Sequence, residues 1–236
     1  FKNKDVEEIE KHPNVESLYT YLTGQEVIKY ENESKNVIIF GYGANAPNIE
    51  KMNIAEGRFY TEDEEDSLAF VIVLGSAIKE KLFGDDDAVS KTVYVKGLPF
   101  KVVGVMEERG ATFSIDLDSM VYIPTKTMQK RILGTDYILG VSLKVKDESK
   151  IDQTKEDLIY LMREQHEITD PNRDDFEVAT MIEAMGMVQS VLSSINFLLI
   201  ALAIISLIVG GVGITNIMYV SVVERTFEIG LRMAVG

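Results

Sequence analysis

Several stretches of this chain carry residue types at spacings that could do chemistry. Gly41-Tyr42-Gly43-Ala44-Asn45-Ala46 has the form G-x-G-x-x-A and follows a strand-like run. Such a loop holds a pyrophosphate when its amides and the N-terminus of a long helix converge on the phosphates. Here Pro47 intervenes and the helical pattern stops near Met52, so a plain glycine turn is the better reading. Gly84-Asp85-Asp86-Asp87-Ala88-Val89-Ser90-Lys91-Thr92 faintly echoes a phosphate-binding loop, but Ser90 stands where a second glycine belongs and three aspartates would repel phosphate. The acidic runs Glu62–Asp66 and Asp85–Asp87 lack the alternating ligands and distant Glu of a calcium loop, and read as solvated loops. His12 and His166 stand far apart, with no H-E-x-x-H pattern and no G-x-S-x-G elbow anywhere. The absence of cysteine removes thiol catalysis, disulfides and thiolate metal sites. No catalytic constellation emerges, and the expectation is a protein without an ATP, metal or cofactor site of its own.

The elements around these stretches are short. Asp5–Lys11 reads as a helix stopped by His12-Pro13-Asn14, and Val15–Tyr30 as extended chain interrupted at Thr23-Gly24. Asn36–Phe40 and Phe70–Leu74 are apolar strands; Ala77–Phe83 is a helix with Gly84 at its end. Thr92–Lys96 and Phe100–Met106 flank Gly97-Leu98 as a hairpin. Met120–Ile123, Ile138–Val145 and Phe176–Ala179 read as further strands, with helices over Thr125–Leu133 and Ser149–Glu167. Strands mixed with a few helices define an α+β class, and the expected arrangement has two lobes.

The longest feature lies at the other end of the chain. Ala184–Val223 contains no Asp, Glu, Lys, Arg or His, and Ile195–Val209 is almost wholly aliphatic. A charge-free apolar run beyond about 18 residues reads as a membrane-spanning helix. At ~1.5 Å per residue, Ile195–Val223 would measure roughly 43 Å, more than a hydrocarbon core of about 30 Å requires. The excess suggests tilt or a helical stalk. Gly210, Gly211 and Gly213, with Asn216 close by, are suited to close packing against another helix in a bilayer. The net charge of −14 lies entirely before this span. It argues against nucleic acid and against lying flat on anionic lipid.

After the span come Glu224-Arg225-Thr226-Phe227-Glu228-Ile229-Gly230-Leu231-Arg232-Met233-Ala234-Val235-Gly236. Glu224, Glu228 and Arg232 fall at fourfold spacing on one helix face, and Arg225 fits a cytoplasmic side. This segment resembles the E-R-T-x-E-I-G-x-R-x-A-x-G run of ABC-transporter permeases of the MacB/FtsX superfamily. Gly57-Arg58-Phe59, Val73-Leu74-Gly75 with Leu82-Phe83-Gly84, Phe100–Val105 and Ile123-Pro124 resemble further pieces of that pattern, in order, over nearly the whole chain. Phe227 stands where the family usually has a basic residue, and Ser90 where it usually has glycine.

The resemblance implies a concrete layout. Residues 1–183 would be an extracytoplasmic domain, with a porter-like α/β lobe and an inserted β-rich lobe over roughly 56–124. Residues 184–223 would be a stalk and the second transmembrane helix of an integral cell-membrane protein, and 224–236 the start of a cytoplasmic coupling region. It places Glu224, Arg225, Glu228, Ile229 and Gly230 against an ABC ATP-binding subunit or domain, which would hold the ATP. It implies a second permease chain and leaves room for an extracytoplasmic adaptor protein, with peptides, drugs or lipophilic molecules as cargo. The chain is then expected to be a piece of a longer polypeptide. The main rival is a membrane-anchored extracytoplasmic sensor, which shares the outer domain and stalk but gives no reason for E-R-T-x-E-I-G. A tethered substrate-binding protein is the third reading.

Overall fold

The computed structural model describes residues 1–112 and 115–236. They form two units, Phe1–Val178 and Ala179–Gly236. The first unit opens with α1 (Asn3–Glu10), where the Asp5 carboxylate accepts the Lys2 N–H at 2.7 Å and closes the first turn. β1 (Val15–Tyr30) follows and is unbroken, despite the interruption expected at Thr23-Gly24. Packing explains the difference. A Cβ on Gly24 would come within 3.0 Å of the Met128 side chain, so Gly24 marks a close approach inside a strand that stays paired. β2 (Glu33–Tyr42) returns antiparallel, with Tyr30 opposite Glu33.

Next come α2 (Ala46–Glu50), β3 (Ile54–Gly57) and α3 (Glu62–Asp66). The last of these corrects the sequence reading of a solvated loop. Thr61 caps it, accepting the Glu64 N–H at 3.3 Å while the Glu64 carboxylate accepts the Thr61 N–H at 2.9 Å. Each acid but one then finds a partner elsewhere. Glu62 accepts from Asn45 at 2.9 Å, Glu64 takes both arms of Arg58 at 2.7 Å, and Asp66 meets Lys126 at 2.6 Å. The Arg58 guanidinium holds the Glu64 carboxyl down at about 2. Arg58 of the G-R-F stretch is therefore a tie to α3.

β4 (Val71–Leu74), α4 (Ser76–Phe83), β5 (Thr92–Val95) and β6 (Leu98–Met106) follow. The β5–β6 turn is Lys96-Gly97, one residue before the expected Gly97-Leu98. Both residues have positive φ, +51° and +78°, the backbone of the tight hairpin turn that matches strand twist. β7 (Ala111–Thr112) pairs with β8 (Ile115–Asp116), and β9 (Met120–Pro124) leads into α5 (Thr125–Thr127) and a π-helical turn, Met128–Leu133. β10 (Gly140–Val145) and α6 (Ile151–Gln165) complete the unit.

The pairings close a ring. β1 pairs with β2, β2 with β9, β9 with β4, β4 with β6, β6 with β5, and β5 back with β1. Closure rests on two residue pairs, Ile28 with Val95 and Lys29 with Tyr94. β10 lines the first half of β1 and β3 lies along β6. The segment 56–124 thus contributes most of its strands to the sheet that β1 and β2 begin. Alternate side chains split between two cores, as a period of two demands. One gathers Ile28, Ile39, Ile72, Phe100, Val121 and Ile123 with Ile78 of α4 and Met128. The other gathers Tyr19, Tyr60, Val73, Val103, Met120 and Tyr122. Buried Tyr60 donates to the Tyr42 and Ile123 carbonyls at 2.9 and 3.0 Å, and burial pushes its phenol pKa well up.

The glycine-rich turn belongs to this packing. A Cβ on Gly41 would lie 2.7 Å from the Met128 sulfur, and one on Gly43 3.0 Å from the Tyr19 side chain. Both glycines are accounted for by close approach, and the helix that follows is five residues long.

Candidate functional site

The C-terminal end of the first unit is where the domain is made ready to pass into its long helix. α6 buries Leu158 and Met162 against Ile9 of α1, and Leu18, Val141, Leu143 and Phe176 pack around them. Phe176 sits in a stretch expected to be a strand, but Phe176–Ala179 has no regular structure. The physical reason is that its aromatic ring is taken up by this cluster, and the chain is held by side chains instead of a ladder. Arg163 of α6 grips Asp174 through two nitrogens, Nε to Oδ1 at 2.9 Å and Nη2 to Oδ2 at 2.6 Å. The guanidinium keeps the Asp174 carboxyl below its ordinary range. One turn on, His166 Nδ1 lies 2.7 Å from Asp175 Oδ1, and its Nε2 lies 3.4 Å from Asp5 Oδ2. None of these ties was visible as a site in the sequence, where His166 reads as an isolated histidine.

The second unit is α7 (Met181–Val235), 55 residues without a break. Thr180 caps it: its Oγ1 accepts the Glu183 N–H at 3.1 Å and its N–H donates to Glu183 Oε2 at 2.9 Å. The helix therefore starts three residues before the expected stalk boundary and runs on through the charged tail. At ~1.5 Å per residue it is about 82 Å long, well beyond one bilayer. Its most apolar window has a mean hydropathy of 2.8, and none of that window is buried. By length and composition α7 is a candidate membrane span. Several of its hydroxyls close on their own helix. Ser206 donates to the Leu202 carbonyl at 2.9 Å, Thr215 to Gly211 at 2.8 Å and Thr226 to Val222 at 2.8 Å. A hydroxyl satisfied this way can lie in lipid without an orphaned donor.

The predicted packing residues all fall on α7, and a Cβ at Gly210, Gly211 or Gly213 would meet nothing within 4 Å. At about 100° per residue, Ser206, Gly210 and Gly213 share a stripe roughly 60° wide, with Asn216 beside it and Gly211 on the far side. Glu224, Arg225, Glu228, Ile229 and Gly230 all lie in the last turns of the helix and are exposed. Glu224 and Glu228 are brought together on one face, with Arg225 and Ile229 forming the next row. Gly230 lies about 160° around from Glu228, so it does not share that face.

A closed six-strand ring, a flanking pair of helices and a capped apolar helix define an α+β domain attached to a candidate membrane span. The family follows from the sequence as a whole. Residues 1–160 match the model of the MacB-like periplasmic core domain, and the chain belongs to that family. Among relatives, it is 34% identical to the macrolide export ATP-binding/permease protein MacB of Bdellovibrio bacteriovorus, over 91% of this chain and 33% of that protein. It is 33% identical to the pyoverdine export ATP-binding/permease protein PvdT of Pseudomonas syringae, over 95% of this chain and 34% of that protein. The chain thus spans about a third of the length of the curated relatives it matches. The periplasmic region of MacB from Actinobacillus actinomycetemcomitans superposes with a TM-score of 0.69 at 22% identity, over 80% of this chain and 83% of that one. The extracellular domain of YknZ, a noncanonic ABC-type transporter of Gram-positive bacteria, gives 0.63 at 21%, over 71% and 84%. These likenesses establish the fold.

Proposed function

We propose that this chain is a segment of the permease subunit of an ABC transporter and works as its transmission rod. Residues 1–183 lie on the extracytoplasmic side, with the inserted β-rich segment 56–124 built into the ring that β1 and β2 begin. Residues 184–223 are stalk and integral membrane span, and 224–236 begin the cytoplasmic coupling region. ATP binding draws two ATP-binding subunits or domains together. Glu224, Arg225, Glu228 and Ile229, with Gly230 behind them, take up that movement. α7 carries it to the outer domain, which opens or closes around cargo outside the membrane. A second permease chain packs at Gly210, Gly213 and Asn216, with Gly211 on the opposite side of the helix, and an adaptor protein docks on the outer domain. Relatives that are macrolide and pyoverdine exporters favour export as the direction, with peptides, drugs or lipophilic molecules as cargo.

The observation that carries this reading is the unbroken helix from Thr180's cap through the E-R-T-x-E-I-G segment. A helix that continues rigidly past the membrane transmits displacement, whereas a simple anchor has no need of an ordered tail. The test is Glu228→Lys in the transporter assembled with its ATP-binding partner. Stimulation of ATP hydrolysis by the permease should fall by about tenfold, equivalent to ~1.4 kcal/mol of lost coupling. Unchanged stimulation and transport would sink the assignment.

A further inference from the structure

We propose that His166 is a protonation-dependent clamp that fastens the segment entering α7 to the first helix of the domain. Both ring nitrogens face carboxylates: Nδ1 lies 2.7 Å from Asp175 and Nε2 3.4 Å from Asp5. Carboxylates only accept, and a neutral imidazole carries one N–H and one lone pair. In the neutral ring one nitrogen therefore presents a lone pair to an anion. The imidazolium alone satisfies both sides at once.

The two carboxylates come from different elements, α1 and the segment before α7. Asp5 is 6% exposed, and its carboxylate already accepts the Lys2 N–H that closes α1. A buried carboxylate needs a cationic partner to offset its desolvation. His166 also ends α6, with its backbone N–H bonded to the Met162 carbonyl at 2.9 Å, so the ring is anchored at the end of that helix. The charged and titratable groups lining the cleft beside it are the Phe1 ammonium with Lys2, Lys4 and Asp5 of the α1 end, Tyr137 from the approach to β10, and Asp175 of the segment itself. Three of these, the Phe1 ammonium, Lys2 and Lys4, oppose the cation. The Phe176 ring stands edge-on to the imidazole at 5.9 Å.

Protonation thus joins α1, the end of α6 and residues 174–176. When the ring is neutral, one carboxylate is released, and Arg163–Asp174 and the Phe176 ring remain as the fastening. The clamp stands on this geometry whether or not the permease reading holds. If that reading holds, acidity on the outer side fastens the last residues of the domain ahead of the rod.

The experiment uses the full chain in lipid nanodiscs, with amide hydrogen exchange measured at about pH 5.5 and pH 8, the range over which histidine charge changes. After correction for intrinsic rates, residues 174–178 should be about threefold more protected at the acid end, and His166→Gln should abolish the difference. His12→Gln, which removes the only other histidine and its contact with Asp157 at 3.3 Å, should leave it intact. Should His166→Gln fail to fold, Asp175→Asn removes the Nδ1 partner and should shrink the difference. Equal protection at both pH values, a difference that survives in His166→Gln, or one undiminished in Asp175→Asn, overturns the proposal.

Discussion

The Glu65 carboxylate accepts the Ala44 backbone N–H at 2.7 Å from a position 8% exposed to solvent. This bond joins the acidic run to the glycine-rich turn, two stretches with no relation in sequence. Burial raises the Glu65 pKa above the ordinary 4.5, so the folded chain binds this proton more tightly than the unfolded one. Its contribution to stability is fully present below about pH 4.5 and is lost as pH rises through the folded value. Glu64 acts in the opposite sense: with its carboxyl held at about 2, its contribution is present above 4.5 and is lost as pH falls toward 2. Denaturation midpoints measured from pH 7 down to pH 3 should show Glu65→Gln flattening the upper part of the profile. Glu65→Ala, which leaves the Ala44 N–H without an acceptor, should cost about 1–3 kcal/mol in the acid range and less as pH rises through the folded value.

Gly104, in the stretch Phe100–Val105, lies against the Arg58 carbonyl, and a Cβ there would come within 2.3 Å of that oxygen. Backbone cannot yield as a side-chain tip can. Gly104→Ala should destabilise the domain by about 1–3 kcal/mol. Gly186→Ala, where a Cβ meets nothing, should not lower the domain's unfolding midpoint.

Ser90 has φ +70°, the left-handed backbone that costs a non-glycine residue about 1 kcal/mol. Its N–H still bonds the Val102 carbonyl at 2.8 Å, so the conformation is held by the fold. Ser90→Gly should raise stability by about 0.5–1 kcal/mol, read from the same denaturation curves.

The absence of cysteine makes topology directly measurable. Glu156→Cys on α6 should react with a membrane-impermeant maleimide in intact cells. Ala234→Cys at the far end of α7 should react only after permeabilisation. Equal labelling of both would remove the membrane-spanning role assigned to α7.

Legibility in the sequence follows physical range. Phe70–Leu74 and Phe100–Met106 are readable because fully buried strands must be apolar, and α4 because Gly84 supplies its left-handed stop at φ +57°. The ring is not readable, since it closes through two residue pairs between β1 and β5 that leave no periodic trace. The acidic run misleads because charge alone predicts solvent, while a capped turn with partners at Arg58, Asn45, Ala44 and Lys126 needs the fold. Phe176–Ala179 misleads in the other direction: an apolar stretch of strand-like composition serves as a plug. The long apolar helix was legible because an unbroken charge-free run leaves a one-dimensional trace in composition. The joint at Arg163, His166 and Asp174–Asp175 was not, because half of it, Asp5, comes from the opposite end of the domain.

The central claim is that α7 carries movement between an ATP-binding partner and the outer domain. Spin labels on Glu156→Cys of two permease chains report that movement as a distance, and a Gly-Ser-Gly insertion after Gln189 makes the stalk flexible. The account predicts that ATP shifts the distance in the uninterrupted transporter, and that the insertion abolishes the shift while ATP hydrolysis continues. A shift of the same size with the insertion in place would contradict it.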